Sequence, residues 1–422
     1  MGPDYLEAMK LIPQRRYDEA ASLLIEICRA NPGVGEPWTV LALCLLCLER
    51  YADLQDIIEL RQRQAGDGLR LFNDSLGVAL ERSEHAAIRN VLAAVPSDSA
   101  LTVVARYWAG LVAALDGEAD RGIGLIHEAA RLISALPPNL AQESFIATIA
   151  TEACLLEPST IVAEIEQADP QKLLAVFPGV AATLTPVIVP RDAATESFVF
   201  LSSCDQRYLE KFGETVVRAL DATRARTVYH LHVIDPSPDV ASIVARLQAG
   251  CSSLTLGYST EAYGGADQGY SRAEFYACGR LIRLPEIFAL YDRDVFMWDV
   301  DTNAVNDFAL VVAAMKGVDL GYFQMKNTRL TLVSHLATVF FANTPATQRL
   351  GRIIRNYILA KFPTSPFWLL DQASVYCAEK FLAGADPNFR FRDFAVTGRD
   401  FAAAVDVASS AEEKQSMRKA AT

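Results

Sequence analysis

Long apolar runs are scarce in this 422-residue chain, and so are histidine and any surplus of positive charge. The greasiest stretch, "WTVLALCLLCL" from Trp38, is too short to cross a bilayer, and the opening "MGPDYLEAMK" has no apolar run of the kind a secretory signal needs. Asp and Glu number 51 against 39 Lys and Arg, a formal charge of -12, which argues against a non-specific grip on nucleic acid or anionic lipid. The eight cysteines are scattered, and the one C-x-x-C, Cys44 to Cys47, lies inside an apolar helical run without a second ligand pair. They read as buried thiols in a reducing, cytoplasmic protein rather than as a zinc or redox site. No G-x-x-x-x-G-K-[ST] occurs, which argues against a P-loop kinase.

What the chain has in plenty is material to bury. An apolar fraction of 51% with 21% charged residues places it among globular proteins, and its length suggests two or three units. The first part repeats itself at a shift of 34 residues. Ala8, Ala42, Leu76 and Gly110 align, as do Leu11, Leu45, Ala79 and Ala113, and Leu24, Ile58, Leu92 and Ile126. Between them Ala20, Leu54, Ile88 and Gly122 recur, and Tyr17 returns as Tyr51. Within each unit the positions fall at helical spacing, separated by polar breaks such as "QRRYDE" and "LDGEAD".

Trp38, Leu41, Ala42 and Leu45, with Ala20, Leu24 and Pro32, resemble the tetratricopeptide repeat, W-x2-L-G-x2-Y followed by A-x3-F and P. Small residues such as Ala8, Ala42 and Gly110 suit the close crossing of two antiparallel helices; Leu76 departs from that rule. The array covers residues 1–136, capping helices 137–178, and a Pro-, Ala- and Thr-rich linker 179–196. The resemblance implies a curved solenoid that docks a protein or peptide, with a plain scaffold as the other reading.

From Ser197 the pattern changes. "SFVFLSS", "RTVYHLHVID", "SLTLGY" and "VFMWDV" read as strands, alternating with the helical stretches "YLEKFGETVVRAL", "DVASIVARLQAG" and one long helix "SRAEFYACGRLIRLPEIFALY". Such alternation predicts a parallel sheet with helices on its faces, with ligands beyond the carboxyl ends of the strands. A Gly-rich loop, "AYGGADQGY", precedes the long helix. Asp299 and Asp301 fall at a strand end, where two carboxylates can share one divalent cation; Asp301 with Thr302 and Asn303 could equally close an Asx turn.

Tyr276, Arg280, Pro285, Asp299 and Asp301, in that order, resemble the nucleotide-sugar glycosyltransferases of the GT-A fold, family eight in particular. The resemblance covers about residues 197–380. It implies donor contacts at Asp205, Tyr208, Arg280 and Asp299, a Mn2+ or Mg2+ site at Asp299 and Asp301, and a D-Q element, Asp371 and Gln372, beside the donor sugar. The chain departs from the family in having no C-terminal H-x5-K-P-W-like segment to supply a metal histidine, and His335 is the remaining candidate ligand. Arg280 could alternatively pair with Glu274 or Glu286 along its helix. Retention or inversion stays open, as do the base and sugar of the donor.

The expected organisation is therefore multi-domain: an all-α helical-repeat solenoid, then an α/β, Rossmann-like GT-A domain over 197–404, and a mobile polar tail over 405–422. The expected activity is transfer of a sugar from a nucleotide diphosphate donor to an acceptor held by the repeats, a protein or peptide. The alternative is a non-catalytic adaptor whose second domain keeps the fold without turnover.

Overall fold

The computed structural model describes residues 2–96, 99–177, 180, 184, 186–188, 196–263, 272–301, 303–304, 312–394 and 405–406. The Gly-rich loop from Gly264, most of the linker and the tail beyond Asp406 lie outside these residues. Two compact units are present: Met1–Pro158 with Asn327–Leu330, and Ser159–Lys326 with Thr331–Thr422. The division falls at Pro158, inside the stretch expected to cap the repeats. Among the described residues no single helix is long and apolar enough to cross a membrane.

In the first unit eight helices form four pairs: α1 (Pro3–Leu11) with α2 (Tyr17–Ala30), α3 (Gly35–Cys47) with α4 (Tyr51–Ala65), α5 (Gly68–Glu81) with α6 (His85–Ala94), and α7 (Leu101–Leu115) with α8 (Ala119–Leu132). The positions aligned at 34 residues are the ones that pack. Ala8, Ala42 and Leu76 are fully buried, as are Ala20, Leu24, Ile88 and Ile126, while Leu92 is only half-buried and Val91 fills the seam there instead. At the α7–α8 crossing the backbones touch: a Cβ on Gly110 would lie 2.6 Å from the Gly122 carbonyl oxygen, and one on Gly122 would lie 2.5 Å from that of Gly110.

The turn inside each pair repeats as well. Arg15, Glu49, Ser83 and Gly117, spaced by 34, all adopt a left-handed backbone with φ of 58°, 58°, 61° and 98°. The N–H after each reaches back to Leu11, Leu45, Ala79 or Ala113, at 3.1, 2.9, 2.9 and 2.9 Å, closing a Schellman motif that satisfies the carbonyls at the helix end. Cys44 and Cys47 carry free thiols, and burial pushes them up to about 12 and about 11.

The second unit holds an eight-stranded sheet in the order β1-β4-β3-β2-β5-β8-β7-β9. Its strands are β1 (Pro186–Ile188), β2 (Phe198–Asp205), β3 (Val228–Ile234), β4 (Thr255–Glu261), β5 (Asp294–Trp298), β7 (Leu320–Gln324), β8 (Ser334–Phe341) and β9 (Phe391–Asp393); β6 (Asn303–Ala304) pairs separately with β10 (Val405–Asp406). The expected linker thus contributes an edge strand, and residues 405–406, read as the start of a mobile tail, lie antiparallel to β6.

β2 to β5 are parallel as expected, but the sheet is mixed, because β8 runs antiparallel to both β5 and β7. Nine residues separate β7 from β8, too few for the crossover that a parallel neighbour requires. The expected long helix is two, Arg272–Ile282 and Leu284–Tyr291. Pro285, which lacks an N–H and crowds the preceding turn, sits in the first turn of the second helix.

Alternate side chains of β2 and β3 face opposite layers. Phe198, Phe200, Cys204, Tyr229, Leu231 and Val233 join a core with helices Gln206–Ala222 and Val240–Ala249. On the other face Gly279 of helix Arg272–Ile282 sits so close that an added Cβ would meet Ile234 at 2.6 Å, Ser203 at 3.5 Å and His232 at 3.7 Å. That contact presses the helix carrying Arg280 onto the strand ends.

Candidate functional site

The chain runs outward from β2 through β3 to β4, then returns to place β5 on the other side of β2. In open α/β sheets ligands bind beyond the carboxyl ends at such a reversal. Here that edge is formed by Asp205 at the end of β2 and by Asp299, next after Trp298 at the end of β5.

Asp205 caps helix Gln206–Ala222, its Oδ1 accepting the Tyr208 N–H at 2.8 Å. This tie turns the chain sharply and leaves the Tyr208 ring 39% exposed, resting on Phe212 at 5.2 Å between centroids. Tyr208 is therefore an open aromatic face at the sheet edge rather than a core residue.

Arg280 is buried and does not lie along its own helix toward Glu274 or Glu286. Its Nη1 pairs with Asp299 Oδ1, its Nη2 donates to the Leu336 carbonyl at 3.0 Å, and its backbone N–H donates to Ser203 Oγ at 3.1 Å. Ser203 Oγ in turn donates to the Tyr276 carbonyl at 2.9 Å. The buried Nε of Arg280 has no hydrogen-bond partner. Asp299 keeps 29% of its side chain exposed, and Asp301, half-buried, follows two residues beyond.

Asp371 opens helix Leu370–Ala385 and is only 6% exposed. Burial pushes its carboxyl up to about 6, against the pull of Arg280 and the Gln372 N–H, while Asp299 adds to the rise. The structure thus brings Arg280, Asp299 and Asp371 into one electrostatic cluster. Gln372 points elsewhere: with its amide oriented to suit its neighbours, the nitrogen donates to the carbonyls of Thr331 and Ser334 at 3.2 and 2.9 Å. It fastens the helix to the start of β8.

His335 stands near the start of β8, which, being antiparallel, lies at the same edge as the end of β5. His230 and His232 are core residues, joined through Ser259 Oγ at 2.8 and 3.0 Å, and burial lowers His230 to about 3. Among the described residues no three His, Cys, Asp or Glu side chains gather as a metal site. The donor set, Asp299 and Asp301, fits a hard cation that takes its remaining ligands from phosphates and water; it does not fit a cation caged by protein alone.

Sequence reasoning missed four residues that hold this edge. Asp235, at the end of β3 with φ of 52°, accepts Tyr276 Oη at 2.9 Å and the Tyr263 N–H at 2.7 Å. Ser203 anchors Arg280. Glu261, at the end of β4, pairs with Arg283 and lies 3.1 Å from His232 Nε2, all three almost without solvent contact. Only Arg283 carried a sequence signal, its place three residues after Arg280.

No family model and no curated protein matches the chain. One solved structure, the apo form of WbbM, a bifunctional glycosyltransferase, is similar with a TM-score of 0.32 and 16% identity over 50% of this chain and 40% of that one. The match thus spans about 40% of the length of that protein, and a likeness of this size supports no assignment.

Proposed function

We propose that the second unit binds a nucleotide diphosphate sugar at the carboxyl edge of β2 and β5 and transfers the sugar to an acceptor. The observation that carries this reading is the buried Arg280, paired to a part-exposed Asp299 at the strand ends and joined electrostatically to an almost fully buried Asp371. Tyr208 offers the exposed ring for the base and Arg280 the fixed cation for the diphosphate. Held by Asp299, Asp301 and the donor's own phosphates, Mn2+ or Mg2+ would offset the charge that grows on the leaving diphosphate.

Transfer breaks the bond from the anomeric carbon to the diphosphate, forms one to the acceptor oxygen, and frees the acceptor's hydroxyl proton. In this reading Asp371, ionised above about pH 6, takes that proton, so turnover should rise through that pH. Gln372, already committed to two carbonyls, acts as a positioning residue. The tetratricopeptide-like pairing of the first unit supports a protein or peptide acceptor, whose local concentration the array would raise.

The test is calorimetric titration with uridine diphosphate, with and without Mn2+. Manganese-dependent binding to the wild type, lost in Asp301→Ala and retained after deletion of residues 1–158, is expected. Absence of binding by uridine, guanosine and thymidine diphosphates alike would leave the adaptor reading in its place.

A further inference from the structure

Independently of the donor reading, we propose that the second unit carries another binding site, for a small organic anion with an aromatic or aliphatic body, at the opposite edge of the sheet. A cavity of about 610 Å³ opens there, lined by Ser197 and Phe198 at the start of β2, Asp294 at the start of β5 and Ala342 beyond the end of β8. Asp294 and Asp299 are five residues apart, so roughly 17 Å of strand separates this cavity from the Arg280 cluster. Its volume is in the range that encloses a small ligand, roughly 300–1,000 Å³.

The floor is aromatic. Phe198, Phe296 and Phe340 pack edge-to-face and tilted across three neighbouring strands with centroids 5.3 and 4.8 Å apart, and Met315 and Val318 close the side. Such a surface favours an apolar or aromatic body. Four charged side chains line the same cavity, and they are not equivalent. Asp319 is spent within the protein, Oδ1 accepting Thr344 Oγ1 at 2.7 Å and Oδ2 the Arg390 N–H at 2.9 Å. Asp294 accepts the Asn343 N–H at 2.7 Å, and burial raises its pKa, so the protein already satisfies part of its charge.

Lys316 and Arg390, both exposed, have no such engagement. Among the described residues neither side chain has a hydrogen-bond or ion-pair partner, and Arg390 reaches over Gly317, its Nη1 3.5 Å from where a Cβ would stand there. Two uncommitted cations beside a cavity with an aromatic floor select an anionic headgroup on an apolar body. A neutral ligand of the same shape would fill the floor and leave both cations unused.

The test uses naphthalene-2-carboxylate and its uncharged isostere naphthalene-2-carboxamide, titrated by calorimetry into the full chain. The carboxylate should bind about tenfold more tightly than the amide, since a charge-assisted bond separates them. The double variant Lys316→Ala/Arg390→Ala should erase that preference. Ala313→Trp, at an exposed point of the wall, should block both probes with the circular dichroism spectrum unchanged, and Asp301→Ala should leave both untouched. Equal affinities of the two probes for the wild type, no saturable binding of either, or binding unaltered by Ala313→Trp would overturn the proposal. Because neither probe resembles a nucleotide, failure here says nothing against the donor site, and failure of the donor site leaves this result standing.

Discussion

The two units fill their interiors with different chemistry. In the first, the recurring positions are aliphatic or small, and backbone meets backbone at Gly110 and Gly122. Of the charges buried there, Arg61 pairs with Asp67 and donates to the Pro32 carbonyl, and Glu152 accepts Tyr107 Oη at 2.9 Å. In the second unit Arg280, Arg283, Glu261 and Asp371 all lie inside. A seam of small residues is sensitive to added volume, whereas a buried charge is sensitive to the loss of its partner. The two interiors should therefore fail under different substitutions.

The sharpest way to break this contrast is to neutralise Glu261. It is 1% exposed on its side chain and faces a fully buried Arg283, which also lies 3.3 Å from Glu286. Glu261→Gln leaves the guanidinium without its main counter-charge and should cost the second unit about 3–5 kcal/mol in denaturant unfolding. Replacing both partners, Glu261→Met with Arg283→Met, should restore most of that loss. A cost below about 1 kcal/mol for the single variant would show that Glu286 suffices as the counter-charge of Arg283, and the contrast would fall.

The next effect belongs to Asp371 and depends on pH. Its folded carboxyl is raised to about 6, above the ordinary value of about 3.9. For a raised acid the stabilising contribution is complete below the ordinary value and is lost as pH rises through the folded one, because the unfolded chain releases the proton first. Ionised Asp371 thus costs about 3 kcal/mol by pH 8. Asp371→Asn should match the wild type near pH 4, exceed it by up to that amount at pH 8, and abolish the transfer proposed above. Thermal unfolding from pH 4 to 8 checks this; parallel curves would mean that Asp371 ionises like a surface carboxylate and that its burial serves no proton chemistry.

The same division governs what could be read from the chain. The repeat was legible because its signal is spread over four aligned positions per unit, so a single misfit such as Leu92 does not hide it. Its turns were not, since of Arg15, Glu49, Ser83 and Gly117 only the glycine announces a left-handed backbone. In the second unit the strand ends carrying Asp205, Asp299 and Asp301 were legible from apolar runs stopped by acid. The grouping of Arg280 with Asp299 and Asp371 spans 91 residues, and the tie between Glu261 and Arg283 spans 22, so no local spacing signals either. Pro285 carried the signal for the helix break, yet the stretch reads as one long helix because its apolar period continues across the proline; the direction of β8 follows from the short connection after β7, which becomes countable only once both strands are placed.

The smallest effects test the array, where three glycines within 15 residues separate steric from conformational demands. Gly110→Ala would put a Cβ 2.6 Å from a backbone oxygen and 2.9 Å from Ile126 Cγ1, and neither helix can yield without opening the seam; a loss of about 2–3 kcal/mol is expected. Gly117→Ala meets nothing within 4 Å, but its φ of 98° is strained for any side chain, so a loss of about 1 kcal/mol should come from the backbone alone. Gly124→Ala, in the body of α8 and also in open space, should stabilise by about 0.5–1 kcal/mol through helix propensity. Denaturant unfolding of the three variants in parallel reads the order directly. If Gly110→Ala cost no more than Gly117→Ala, the α7–α8 crossing would be able to spread, and close backbone contact could no longer be the reason for a small residue at that recurring position.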